Sequence, residues 1–93
     1  MTATPRQIQE SCFTVRQAIR QRDPILYDRA AKPHCRWPLG TPERDLHQDL
    51  RALDDMAWAI GCGQMPSLDS LHRVERLFQR EGVRIGAPAG TDP

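Results

Sequence analysis

The 93-residue sequence lacks any hydrophobic run close to the roughly 18 residues that a membrane-spanning helix needs. Its first ten residues, MTATPRQIQE, also lack the apolar segment of a signal peptide. Neither sign of charge is in excess, because 13 basic residues are matched by 12 acidic ones. The global field that draws proteins to nucleic acid or to anionic membranes is therefore missing. We expect a cytoplasmic protein with no membrane contact.

The sequence also lacks the signs of a disulfide framework and of a β-sheet. Its three cysteines, Cys12, Cys35 and Cys62, are odd in number and far apart, which favours reduced thiols. No segment shows sustained alternation with β-branched residues, so we expect no sheet. Twelve of the 13 basic residues are Arg, with Lys32 as the exception. This skew is typical of GC-rich codon usage and points to a bacterium, a phage or another mobile element.

The sequence does contain strong helix signals, clearest in a central helix predicted over about 42–60. Thr41 is a good N-cap, and Pro42 suits the first helical position because its φ is already set. Gly61 is expected to be the left-handed residue that follows the helix. Apolar residues recur at steps of four and three, which places them on one side of the helix. They are Leu46, Leu50, Leu53, Ala57 and Ile60.

Similar signals predict further helices over about 5–22, 24–32 and 67–82. The first helix has an inward side formed by Ile8, Cys12, Val15 and Ile19. For the last helix, the corresponding residues are Leu68, Leu71, Val74 and Phe78. The expected N-caps are Thr4, Asp23 and Ser67.

The loop from 33 to 40 contains two prolines and no periodicity, so we expect an irregular crossing in which Trp37 and Leu39 fold back onto the helices. These elements predict an all-α fold, a small bundle of three main helices plus one short helix. A single domain should cover residues 1–85, because a chain of this length supports one core. Residues 86–93 should form a flexible C-terminal tail.

Charge is sorted between the helices and suggests where a partner could bind. Residues 5–22 carry four Arg and one Glu, a net of +3, whereas residues 41–60 carry five acids and two Arg, a net of −3. The two helices could be neighbours whose charges attract, or one or both charged faces could select a partner. At about 100° per residue, Phe13 and Trp58 fall outside the apolar rows and among charged residues. The predicted partner-binding residues are Arg6, Phe13, Arg16 and Arg20 on the first helix and His47, Arg51 and Trp58 on the central helix.

The sequence offers little to catalysis. The closest pair of zinc-ligand types is His34 with Cys35, which is far from the two close pairs of a typical zinc site. The same pair is the best candidate for a nucleophile and its base, but nothing predicts a pocket around it. Asp54 and Asp55 point to different sides of a helix and do not make an acid and base pair. We therefore predict no enzyme activity, no catalytic residue, no metal and no cofactor.

These observations favour a small protein-binding regulator, adaptor or inhibitor, whose partner is another protein or a second copy in a homodimer. No small-molecule substrate is expected. The alternative is a DNA-binding regulator, because Ala57-x-x-x-Gly61 before a turn and a new helix is typical of a helix-turn-helix bend. The last helix would then read the groove. It would offer Ser67, Asp69, Ser70, His72, Arg73 and Arg76.

Overall fold

A computed structural model of the chain describes residues 4–32 and 36–83. These residues form four α-helices and, within the described ranges, no strand. The predicted all-α bundle of three main helices and one short helix is confirmed. The tail predicted for 86–93 lies outside the described residues. The helices are α1 (Pro5–Arg22), α2 (Pro24–Ala30), α3 (Pro42–Gly61) and α4 (Leu68–Glu81).

Each helix begins at the predicted N-cap, because a side-chain oxygen there satisfies a free backbone N–H of the first turn. At the start of α1, the Thr4 hydroxyl accepts from the backbone N–H of Gln7 at 3.2 Å. The Gln7 side chain accepts from the Thr4 N–H at 2.9 Å in return, which completes a capping box. Asp23, Thr41 and Ser67 each accept a backbone N–H from the residue three positions on.

The helix ends depart from the predicted bounds by at most two residues. Helix α2 stops at Ala30 instead of residue 32. Helix α4 ends at Glu81, and the Gly82 that follows it has a left-handed φ of 69°, as expected. The prediction that Gly61 is left-handed was wrong, since Gly61 is the last residue of α3 and Gly63 has the positive φ of 71°. Gly61 has a different role. A Cβ there would lie 2.9 Å from Nε2 of Gln9, so the missing side chain leaves room for the Gln9 amide of α1.

One hydrophobic core contains residues from all four helices, and most of the predicted inward rows lie in it. In α4 the prediction was partly wrong, because Leu68 is 71% exposed whereas Leu77 is 2% exposed and was missed. In the described part of the crossing loop, Trp37 is half-buried as expected but Leu39 is exposed. The buried apolar cluster comprises Cys12, Val15, Ile19, Ala30, Leu46, Leu50, Ala52, Leu53, Met56, Val74, Leu77 and Phe78.

The helices form three layers, with the pair α1 and α3 in the middle. Helices α1 and α3 are antiparallel, since Gln9 reaches Ala57 and Arg16 reaches Leu50. Helix α4 packs on one side of this pair and α2 on the other, and these two helices, both fully described, make no contact with each other. No helix in the described part of the chain has the length and apolarity that a membrane crossing requires.

Candidate functional site

Two large aromatic side chains remain on the surface of the bundle. Phe13 of α1 is 63% exposed and Trp58 of α3 is 66% exposed. Large apolar side chains are usually buried in a small domain, where each contributes about 1.5–3 kcal/mol. An exposed aromatic pair with charged neighbours is typical of a surface that contacts another molecule.

The seam between α1 and α3 brings these two aromatic residues to one face. Gln9 donates to the carbonyl oxygen of Ala57 at 3.0 Å, and Arg16 donates to the Asp54 carboxylate. Phe13 lies about one turn from both Gln9 and Arg16, and Trp58 lies one turn beyond Asp54. The rings therefore flank the same length of the seam. We call this surface the aromatic face; it consists of Phe13, Trp58 and the seam residues Gln9, Arg16 and Asp54.

The aromatic face is open because α2 is too short to cover the whole seam. Helix α2 has seven residues, about 10 Å, whereas α1 and α3 have 18 and 20. It lies over the end of the seam where α1 finishes and α3 begins. There Arg16 donates to the Tyr27 hydroxyl at 3.2 Å, and Nδ1 of His47 lies 2.8 Å from the Ala30 carbonyl oxygen. Beyond Arg16, towards the start of α1, α2 no longer covers the seam.

The predicted site residues fall into two groups. Phe13 and Trp58 are exposed, as are Arg6, Arg20 and Arg51. Arg6 pairs with Glu10 on the same helix at 3.2 Å. Arg16 and His47 are half-buried and bond within the fold, so their main contribution is to hold helices together. The sequence predicted two separate contacts. Helix geometry together with the bonds of Gln9 and Arg16 places their aromatic residues along one seam, and partner binding by either stays a prediction.

Arg16 is the electrostatic centre of the seam. Its guanidinium donates to the Tyr27 hydroxyl, to the Leu50 carbonyl oxygen at 3.4 Å and to Asp54. Burial alone lowers the pKa of Arg16, but its bonds to Tyr27 and Asp54 outweigh burial and raise the pKa above its ordinary value. The side chain is therefore a permanent cation in the seam. Asp54 balances this charge and stays largely exposed.

The opposite side of α3 holds a second polar feature, a cleft of about 340 Å³ against α4. Its central acid is Asp49, which lies 3.2 Å from Arg73 and 3.9 Å from Arg80. Burial raises the pKa of Asp49 above its ordinary value, while the two arginines act in the other direction. Acids and arginines pair with each other in this cleft, so we read it as a contact that joins α3 to α4.

The candidates for a reactive thiol or a metal ligand are Cys12, His34 and Cys35. Cys12 is buried in the core, and burial followed by the Asp54 charge raises the pKa of its thiol to about 11. A thiol with such a pKa is a poor nucleophile. His34 and Cys35 lie outside the described residues. Within 4–32 and 36–83, no group of three or more His, Cys, Asp or Glu side chains could hold a metal ion.

The residues of the DNA-binding alternative are partly engaged inside the fold. Ser67 caps α4, and Ser70 is buried with its hydroxyl 3.4 Å from Asp55. Arg73 donates to Asp49 and to Gln48. Asp69, His72 and Arg76 remain exposed on α4. None of these observations favours DNA binding, and the alternative stays a prediction that a shift assay at low salt would test.

Sequence reasoning missed two residues that shape the aromatic face, Gln9 and Tyr27. Gln9 lay beside the arginines on the first helix and gave no signal beyond its position. Tyr27 was not among the predicted site residues, although its hydroxyl needs a partner when it is partly buried. The pairing of α1 with α3 would have been needed to find either. In the comparisons with known proteins, no family model matches this chain, and no curated protein and no solved structure shows significant similarity to it.

Proposed function

We propose that this chain is a non-enzymatic regulator, adaptor or inhibitor that binds another protein through the aromatic face. The observation that carries the proposal is the exposure of Phe13 and Trp58, which helix periodicity places on one side of the same seam. Aromatic residues and Arg dominate the binding energy of protein interfaces, and they act most strongly in the centre of a contact. Here both rings flank a seam whose arginine is held in place by three acceptors.

The rigidity of the face supports this function. Phe13 projects from an 18-residue helix and Trp58 from a 20-residue helix, so the backbone that carries each ring is ordered before binding. A preorganised contact surface loses less conformational entropy when a partner docks. His47 contributes indirectly, since its bond to the Ala30 carbonyl holds the end of α2 beside the face.

The test compares two double variants as baits in a pull-down from a bacterial lysate. Phe13→Ala with Trp58→Ala removes both rings from the aromatic face. Met65→Ala with Leu68→Ala removes two equally exposed apolar side chains elsewhere, at 81% and 71% exposure. We expect the wild type and the control to retain the same proteins, and the first variant to retain at least about tenfold less of them.

Circular dichroism must show that both variants keep the helical content of the wild type. Equal recovery of every retained protein by the Phe13 and Trp58 variant would refute the aromatic face as the binding site. The same would follow if the control variant lost these proteins to the same extent.

A further inference from the structure

The aromatic face has two cations at one end. Arg20 follows Phe13 by seven residues and Arg51 precedes Trp58 by seven, which is two helical turns or about 10 Å in each case. Because α1 and α3 are antiparallel, both arginines lie towards the end of the seam that α2 covers. The guanidinium carbon of Arg20 stands 6.0 Å from the centre of the Tyr27 ring. That contact helps to hold Arg20 beside the face.

These two arginines differ from Arg6 and Arg16 in their ion pairs. Arg6 pairs with Glu10 and Arg16 pairs with Asp54. Neither Arg20 nor Arg51 forms an ion pair with any residue of 4–32 or 36–83. The aromatic face is therefore a neutral, ring-bearing region next to two arginines that form no ion pair with the described residues. A complementary surface would be apolar at one end and acidic at the other.

We infer that the aromatic face binds an amphipathic helix of a partner protein, whose apolar residues cover Phe13 and Trp58 and whose acidic residues pair with Arg20 and Arg51. The inference rests on the proposed function and names the chemistry of its partner. A helix fits because residues seven positions apart on one of its sides are about 10 Å apart, which matches the spacing of each ring from its arginine along the seam. Addition of a strand has no counterpart here, since the described residues contain no sheet edge.

Charge also argues against a second copy of the chain as the occupant. In a twofold dimer the same patch contributes from both subunits. Where the two seams run parallel, such a dimer would bring Arg20 and Arg51 towards the same arginines of the second copy. Where they run antiparallel, these arginines would lie towards the start of α1, where Arg6 and Glu10 already pair with each other. Like charges that meet at an interface weaken it and suppress that pairing. An acidic partner gains attraction at the same place.

A phage-displayed library of helical peptides, randomised at charged and apolar positions, tests the inference without knowledge of the natural partner. The library is selected against the wild type and against Arg20→Glu with Arg51→Glu. A control with the same change in net charge, Arg36→Glu with Arg76→Glu, alters two exposed arginines away from the face. Selected peptides are then synthesised and their affinities measured by calorimetry.

We expect the wild type and the control to select peptides with apolar residues at one end and acidic residues about two turns away. The Arg20 and Arg51 variant should select basic residues at that second place. It should bind the acidic peptides at least about tenfold more weakly than the wild type does. Raising the ionic strength should reduce this difference.

The outcomes separate this inference from the proposed function. Peptides that lose affinity with Phe13→Ala and Trp58→Ala but show no acidic preference would overturn the charge assignment and leave the aromatic face in place. Peptides insensitive to those two changes, or a library that yields none that bind the wild type, would overturn both. A dimer in sedimentation experiments that Phe13→Ala dissociates would make a second copy the occupant and would overturn the inference.

Discussion

The two phenylalanines of this chain lie on opposite sides of the α1 and α3 pair and have opposite environments. Phe78 of α4 is 4% exposed, whereas Phe13 of α1 is 63% exposed. The helix that packs on the same side of the pair as Phe13 is the seven-residue α2, whereas Phe78 belongs to the 14-residue α4 on the other side. We interpret the contrast as an effect of the covering helices, because α4 is twice as long as α2.

The two sides are also held by different forces. On the α4 side, Val74, Leu77 and Phe78 are all buried in the apolar cluster. On the α2 side, Ala30 is the one fully buried residue of α2, and Leu26 and Tyr27 pack against the cluster while half-buried. Hydrogen bonds to the Tyr27 hydroxyl and the Ala30 carbonyl add to the attachment. Apolar burial contributes more per contact than hydrogen bonds exchanged with water. We expect the α4 side to dominate the stability of the fold.

The largest effect expected is that of Phe78→Ala compared with Phe13→Ala. Loss of a buried phenylalanine leaves a cavity and should lower the free energy of unfolding by about 3–5 kcal/mol. Loss of the exposed ring should change it by no more than about 0.5 kcal/mol. Urea denaturation followed by circular dichroism measures both.

Because domains of this size are stable by only about 5–15 kcal/mol, Phe78→Ala could leave the chain unfolded. Phe78→Leu then provides a milder comparison, with an expected loss below about 1.5 kcal/mol. If Phe13→Ala costs as much as Phe78→Ala, the two sides of the pair are equivalent and the comparison fails.

Much of the fold was accessible to sequence reasoning because its signals are local. Thr4, Asp23, Thr41 and Ser67 each cap a helix through a bond to a residue three positions away. The error in α4 has a physical cause, since Ser70 is a polar residue in a buried position. Its hydroxyl bonds to Ser67 and Asp55, which a count of apolar residues does not detect.

The candidate site was accessible only in part, because it depends on which helices are neighbours. The positions of Phe13 and Trp58 outside the apolar rows follow from helix periodicity alone. Their place on one face depends on the antiparallel pairing of α1 with α3, which periodicity does not determine. The inward reach of Arg16 to the Leu50 carbonyl likewise depends on the distance between these two helices.

A second, smaller effect should distinguish Arg16 from the exposed arginines of the α2 side. Arg16→Met removes the charged donor to the Tyr27 hydroxyl and to the Leu50 carbonyl, which keeps its bond within α3, and should lower the free energy of unfolding by about 1–3 kcal/mol. Arg51→Met removes an exposed cation and should change it by no more than about 0.5 kcal/mol. Thermal unfolding of both variants makes the comparison. Equal losses would mean that the seam is not held by Arg16.

The smallest effect concerns the open end of the seam, where Gln9 and Gly61 meet. A Cβ at Gly61 would lie 2.9 Å from Nε2 of Gln9, so Gly61→Ala should displace the Gln9 amide from the Ala57 carbonyl. That loss offsets the gain of up to about 1 kcal/mol that Ala usually brings to a helix. In a Gln9→Ala background the obstacle is gone, and Gly61→Ala should stabilise the protein by about 0.5–1 kcal/mol. A double-mutant cycle by urea denaturation measures this coupling. If Gly61→Ala changes the free energy of unfolding equally in both backgrounds, the close approach of α1 and α3 does not depend on the bond between Gln9 and Ala57. Apolar burial would then hold the open end of the seam, as it holds the α4 side.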